Sequence, residues 1–430
     1  GLIVVDEEHD SSYKQETTPR YHGRDTAIRR GQLTGCPVVL GSATPSLESW
    51  WNATRRGVAR LHHLPERAPG LVTPTVKVVD LAEERRHAGQ DNALLGPTLA
   101  AALGRTLQDG HQALLLLNRR GWSNYVTCSS RTCGWMLRCD RCDVNMVYHR
   151  AGDLPSGGYL RCHHCHTEIR LPRSCPACSN RIVKLGLGTQ RIEAELRERW
   201  PVLAEDGGLC RVDSDSMRSM EDFHSALDAF ARGDVRVLIG TQMIAKGLDV
   251  PGVRLVGVID ADTAMHMPDF RATERTYQLV SQVAGRCGRG DAGGLAIVQT
   301  FDPASPAITF AASHDYEGFA ELELTDRMAL DLPPSTRLAR IVVRDPKQER
   351  GEDTADRIAQ QLADLGGADI SIRGPSPCPI ARIADNWRTQ VEVLAPSASR
   401  LQSLLTDARA RLLLEPASRI QVDVDPRNLL

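Results

Sequence analysis

No run of about eighteen apolar residues occurs in this chain of 430 residues, so no membrane-spanning helix and no membrane partner are expected. An excess of charge is missing too. The chain carries 52 Lys/Arg against 54 Asp/Glu, a formal net charge of -2. No signal peptide is read at either end, which points to a cytoplasmic protein and argues against a disulfide framework of the kind small secreted domains use. With 41% hydrophobic and 25% charged residues, the composition is that of an ordinary soluble protein, and the length suggests two to four domains.

Against that plain background the cysteines stand out. Eight of the twelve lie between residues 128 and 178, in the pairs Cys128/Cys133, Cys139/Cys142, Cys162/Cys165 and Cys175/Cys178. Three pairs have two intervening residues, a spacing that turns both thiolates onto one tetrahedral zinc. The inner four read Cys-x2-Cys, nineteen residues, Cys-x2-Cys, which is the window of a four-cysteine zinc site. The outer four would close a second site around the first, giving two structural Zn2+. Cys128/Cys133, with four residues between, is the loosest pair. His163, His164 and His166 are alternative ligands, but eight thiolates already complete two tetrahedra. Cys36, Cys210, Cys287 and Cys378 are isolated and read as small buried thiols. From Arg119 to Lys184 eleven Lys/Arg face four Asp/Glu. That local excess makes the cysteine-rich segment either a contact for phosphate backbone or a solvated charged face.

The remaining signals follow in chain order. Gly1-Leu2-Ile3-Val4-Val5 reads as a buried strand and runs into Asp6-Glu7-Glu8-His9-Asp10. Carboxylates at the C-terminal end of a parallel strand lie where open α/β sheets bind ligands. There an aspartate can hold Mg2+ on nucleotide phosphates, and a glutamate can orient or deprotonate the attacking water. A second strand-like run, Cys36 to Leu40, ends in the small-residue turn Gly41-Ser42-Ala43-Thr44-Pro45. Val235 to Ile239 leads into Gly240-Thr241-Gln242-Met243, and Lys246-Gly247-Leu248-Asp249 follows. A helical stretch from Arg271 then reaches Gln282-Val283-Ala284-Gly285-Arg286-Cys287-Gly288-Arg289. Arginines three apart share a helical face, which suits two guanidinium groups aimed at a transferring phosphoryl group, or else a surface pair.

In this order the segments resemble the motifs of superfamily 2 helicases. With DEEHD, GSATPS, LLLNRRGW, the eight-cysteine insertion, GLGTQRIEAEL, GTQMIAKG and QVAGRCGRG, the chain is similar over essentially its whole length to the primosomal protein N′ (PriA) family of bacterial replication-restart DNA helicases. The resemblance implies an ATP-dependent 3′-to-5′ DNA helicase that recognises stalled or abandoned forks and initiates primosome assembly. Its partners would be forked and single-stranded DNA, primosome proteins and single-stranded-DNA-binding protein; its cofactors would be Mg2+ and ATP beside the two zincs. It assigns Asp6 to Mg2+, Glu7 to the attacking water, and His9, Ser42 and Thr44 to coupling hydrolysis with DNA movement. Gly247, Asp249, Gln282, Arg286 and Arg289 would surround the nucleotide, and Tyr21 and Thr241 would meet DNA. Two departures stand out. The phosphate-cradling loop Gly-x4-Gly-Lys-Ser/Thr is absent, as is the family's N-terminal DNA-binding region. The expectation is therefore an N-terminally truncated chain, beginning at the DEEH box, that does not hydrolyse ATP alone. Thr18-Pro19 also stands where the family often has a tryptophan. The alternative function is an ATP-independent fork-DNA-binding scaffold for primosome proteins.

The expected architecture is α/β, with RecA-like lobes of which the first is incomplete. Residues 1–65 are the end of lobe 1, 66–95 a linker, and 96–125 with 181–305 lobe 2. Residues 126–180 are the zinc insertion and 306–335 a helical connector. Residues 336–430 read strand, helix, strand, strand, helix, strand, the α+β ferredoxin-like pattern, taken as a DNA-binding domain. Trp387-Arg388 before its third strand can stack on and pair with DNA, or pack as a rim aromatic on its own sheet.

Overall fold

The computed structural model describes residues 1–64, 73–88, 93–117, 125–130, 133, 135–150, 158–162, 164–185, 189–204, 207–213, 216–217, 219–241, 244, 250–287, 293–414 and 419–429. The chain opens on two short parallel strands, β1 (Ile3–Val5) and β2 (Val38–Leu40), in register from Ile3 opposite Val38 to Val5 opposite Leu40. The helix Gly23–Thr34 connects them and lies close on β2. At Gly31 a Cβ would stand 2.3 Å from Val38 Cγ2, so any side chain there would push the helix off the strand.

A second sheet begins with β3 (Thr75–Asp80) and β4 (Gln112–Leu117). The insertion interrupts it with β5 (Tyr125–Cys128), β6 (Val147–Arg150), β7 (Gly158–Arg161), β8 (Glu168–Arg170) and β9 (Ile182–Leu185). The sheet is completed by β10 (Leu209–Val212), β11 (Val237–Gly240), β12 (Val253–Asp260) and β13 (Leu295–Thr300). Its six strands are all parallel, in the order β10-β11-β4-β12-β13-β3. Every residue of β4 is buried, as a strand covered on both faces requires. The period of two divides the side chains. Leu114, Leu116, Leu238, Val256 and Val258 pack on one face against the helices Ala272–Ala284 and Pro306–Ala312. Leu115, Leu117, Ile239, Leu255 and Ile259 pack on the other against Pro97–Gln108 and Thr189–Arg199. β3 falls inside the stretch expected as linker, yet it pairs along its full length with β13. Six residues with a central lysine give too weak an alternation to separate an edge strand from a connection.

The insertion grows from β4 on a two-stranded antiparallel stem, β5 with β9, and ends in a three-stranded antiparallel sheet, β6-β7-β8. Its core is small: Val126, Met146, Tyr148 and Leu160 pack together with Cys139, Cys142 and Cys162. A segment with so few apolar residues needs a staple.

The last hundred residues form β14 (Arg337–Asp345), β15 (Ser371–Ile383), β16 (Asn386–Ala395) and β17 (Ile420–Val424) in an antiparallel sheet of order β15-β16-β14-β17. Helices Gln348–Gly366 and Ala398–Ala410 pack on one of its faces through Ile341, Val391, Ile358 and Leu404. This is the ferredoxin-like arrangement. The connector helix Tyr316–Ala329 ties the entering segment to the second lobe: Leu47 and Trp50 pack on Ala320 and Leu324, and Tyr277 stacks on Phe319 at 4.3 Å.

Candidate nucleotide cleft and metal centres

The acid box follows β1, and its three carboxylates part company. Glu8 turns inward, 1% exposed, and accepts from Ser46 N (2.6 Å), Ser46 Oγ (3.0 Å), Ser49 Oγ (2.8 Å) and Arg24 (2.9 Å). Ser46 caps the helix Leu47–Thr54, so this one carboxylate ties the acid box to the GSATPS turn and to the helix between β1 and β2. Asp6 and Glu7 point the other way and stay accessible, with Glu7 held at φ +45 by the turn. Asp6 Oδ1 accepts from the Glu7 amide at 2.9 Å.

His9 and Ser42, 33 residues apart, meet at 2.7 Å between Nδ1 and Oγ. The Thr44 amide donates to the same Oγ at 3.0 Å, and Glu7 Oε2 lies 3.6 Å from His9 Nδ1. Glu7, His9, Ser42 and Thr44 therefore form one connected path from the acid box to the small-residue turn. Across a cleft from His9 and Asp10 stands the second-lobe helix Ala272–Ala284, presenting Arg271, Arg275, Gln278 and Gln282. Arg286 sits in the turn just beyond that helix, and Thr241 just after β11, at the ligand-binding end of the parallel sheet. Gly247, Asp249 and Arg289 lie outside the described residues. Tyr21 presents a ring that is 50% exposed.

The junction of the lobes carries residues that no motif singled out. The Leu47 amide donates to Glu274 Oε1 at 3.0 Å, and Arg327 bonds the other oxygen at 2.9 Å. Glu48 binds Arg271 (3.0 Å) and Arg427 (3.1 Å). Burial pushes the Glu48 carboxyl up, but the Arg427 and Arg271 guanidiniums outweigh it and hold the group well below the usual range. Arg427 also donates from Nε to His22 Nε2 at 3.2 Å. Burial, then Arg427 and Arg24, lower the His22 pKa to about 3, so this imidazole stays neutral. Lys14 closes the arrangement on Asp423 at 2.9 Å. The carboxylates and arginines are legible as charges in the sequence, but their partners lie up to four hundred residues away.

The eight cysteines converge on two sites. Cys128, Cys133, Cys175 and Cys178 form one, and Cys139, Cys142, Cys162 and Cys165 the other, with all four sulfurs of each within 4.8 Å of one another. Sulfur pairs stand at 3.3 Å (Cys128/Cys178), 3.7 Å (Cys133/Cys175) and 3.5 Å (Cys139/Cys165). Four ligands about 2.3 Å from a tetrahedral ion are separated by about 3.8 Å, so both sets fit zinc, and thiolate is the ligand zinc prefers for structural sites. Among the described residues neither set includes a histidine; His163 lies outside them. Arg388, expected at DNA or on its sheet, is buried and donates to Ile380 O at 3.1 Å, while Arg382 lies over the Trp387 ring at 5.6 Å.

Parallel strands followed by exposed carboxylates, a six-stranded parallel sheet, a His–Ser link between loops and a facing second-lobe helix are the arrangement of RecA-like helicase lobes. The description "Helicase conserved C-terminal domain" matches residues 190–291, and "Primosomal protein N C-terminal domain" matches residues 328–427. Over essentially its whole length the chain is similar to PriA, the replication restart protein. It is 41% identical to the Bacillus subtilis member over 99% of this chain and 52% of that protein. It is 39% identical to the Synechocystis member, covering 100% and 51%, and 38% identical to that of Treponema pallidum, covering 100% and 63%. The chain thus spans about half the length of the first two of these relatives. Among solved structures, S. cerevisiae Dbp5 bound to RNA and ADP BeF3 overlaps 76% of this chain and 63% of its own at 15% identity, with a TM-score of 0.37 too low to argue from.

Proposed function

We propose that this chain belongs to an ATP-dependent 3′-to-5′ DNA helicase that recognises stalled or abandoned replication forks and initiates primosome assembly. Single-stranded-DNA-binding protein would be among its partners. In this reading Asp6 carries Mg2+, Glu7 acts on the attacking water, and Gln282, Arg286 and Arg289 reach the phosphates from the second lobe, with Gly247 and Asp249 beside the nucleotide. Tyr21 and Thr241 contact DNA. The observation that carries the reading is the His9–Ser42 bond beside an open Glu7, since it links the water-activating carboxylate to the turn through which hydrolysis would be coupled to DNA movement. A scaffold that never hydrolysed ATP would have no use for that connection.

The test is made in a protein that carries this chain together with an upstream phosphate loop. A guanidinium that acts on the transferring phosphoryl group contributes about 10³- to 10⁵-fold in rate. Arg289→Ala should therefore abolish DNA-stimulated ATP hydrolysis and unwinding while fork-DNA affinity stays within a few-fold. A thermal melt beside the assay separates this from misfolding. Retention of most of the turnover in a normally melting variant would remove the motor role of Arg289, and the same result for Glu7→Gln would favour the scaffold.

A further inference from the structure

The β15–β16 hairpin reaches out of its own domain. Its loop is only Ala384 and Asp385, closed by the Ile383–Asn386 pair. Both loop residues have positive φ, +49 and +62. Two-residue hairpin turns of that hand normally carry asparagine and glycine, and alanine is strained there. The strain is offset by contacts made outside the sheet. The Ala384 amide donates to Cys142 Sγ at 3.1 Å, and the Asp385 amide to Arg141 O at 2.9 Å. The Asp143 amide donates back to Arg382 O at 3.0 Å, the Asp385 carboxylate pairs with the Arg141 guanidinium, and Arg382 lies 3.5 Å from Asp143. Ile383 packs against the apolar cluster of the insertion.

The hydrogen bonds and ion pairs all fall on the knuckle Cys139–Asp143, which supplies two ligands of the inner site. A zinc held by four thiolates carries a net negative charge, and hydrogen bonds donated to the sulfurs offset it and orient them. Here one such donor comes from 242 residues along the chain, in a different domain. The structure assigns Ala384 and Asp385 as positioning residues of the inner metal site: the hairpin tip of the C-terminal domain orients the Cys142 thiolate, and the loaded site in turn holds the hairpin. The inference rests on the inner cysteines holding zinc. Coupling of this kind is reciprocal, so each partner's state should be readable at the other.

Zinc release from the 430-residue chain to a coloured chelator tests one direction. Wild type should yield two zincs. Asp385→Lys, which sets an ammonium against Arg141, should release one of them 10- to 100-fold faster and leave the other unchanged, in line with the usual effect of outer-shell changes on metal affinity. Asp385→Ala should act in the same direction more weakly. Hydrogen exchange tests the other direction. Cys165→Ser, at an inner-site ligand outside the Cys139–Asp143 knuckle, should strip protection from the Ala384 and Asp385 amides, whereas Cys178→Ser at the outer site should leave it. Unchanged zinc release in both Asp385 variants, or amides equally protected in Cys165→Ser, would overturn the assignment. Fewer than two zincs in wild type would instead remove the metal reading beneath it.

Discussion

Glu8 shows how one side chain decides the use of its neighbours. With its charge inside, the acid box is locked to the GSATPS turn while Asp6 and Glu7 stay accessible. Breaking a buried ion pair by removing one partner costs about 3–5 kcal/mol, because the other charge is left unpaired. Glu8→Gln should therefore lower stability by about that amount in chemical denaturation, and a loss under about 1 kcal/mol would show that Glu8 is not the hub. His22 gives a pH signature. Its pKa is about 3 in the folded chain and near 6.5 unfolded, so its contribution is fully present above pH 6.5 and is lost as pH falls towards 3. Between pH 7 and pH 5 that amounts to about 2 kcal/mol. His22→Gln, which keeps an acceptor for Arg427, should lose correspondingly less stability over the same interval. Equal pH slopes for the two proteins would refute the assignment.

At the scale of elements, the insertion is a stem and a small sheet whose order depends on metal. Its apolar cluster is short of what a free-standing domain needs, and each thiolate tetrahedron supplies folding energy directly. Metal analysis of protein purified without chelator should return two zincs per chain, and Cys139→Ser should return one. In that variant the β6-β7-β8 sheet should lose exchange protection while β4, buried on both faces of the central sheet, keeps it. Protection lost in β4 as well would mean that the insertion is folded into the lobe rather than stapled onto it.

Across the molecule, the first-lobe segment is held by the second lobe, the connector and the C-terminal tail together, through Glu274, Glu48, Arg271 and Arg427. Arg271, Glu274 and Arg427 also line the cleft between His9 and Gln282, so these contacts shape it directly. No Gly-x4-Gly-Lys-Ser/Thr, the loop whose amides and lysine hold β- and γ-phosphates, occurs in these 430 residues. Purified residues 1–430 should show no DNA-stimulated ATP turnover. Turnover that Glu7→Gln abolished would prove this expectation wrong. Among the described residues no helix is long and apolar enough to cross a membrane.

How much was legible beforehand follows from the range of the interactions. Cysteine spacing is a local property, and eight ligands at tetrahedral spacing leave few ways to pair, so both metal sites were readable as letters. Largely apolar runs ended by acids or small residues marked β1, β2 and β11 in the same way. The ferredoxin-like order of the last hundred residues was readable for the same reason: its strands and helices alternate with strong periods. Which carboxylate of Asp6-Glu7-Glu8 faces inward was not legible, because three adjacent acids look alike until Arg24 and Ser46 are brought to one of them. Nor was the fate of Arg388, whose burial depends on its sheet, or the place of β3, whose pattern is weak until β13 lies beside it. The docking of Ala384 on Cys142 had no sequence signal at all. Local spacing and periodicity determine elements and metal ligands, whereas pairings across hundreds of residues are chosen only when packing brings their partners within hydrogen-bond reach.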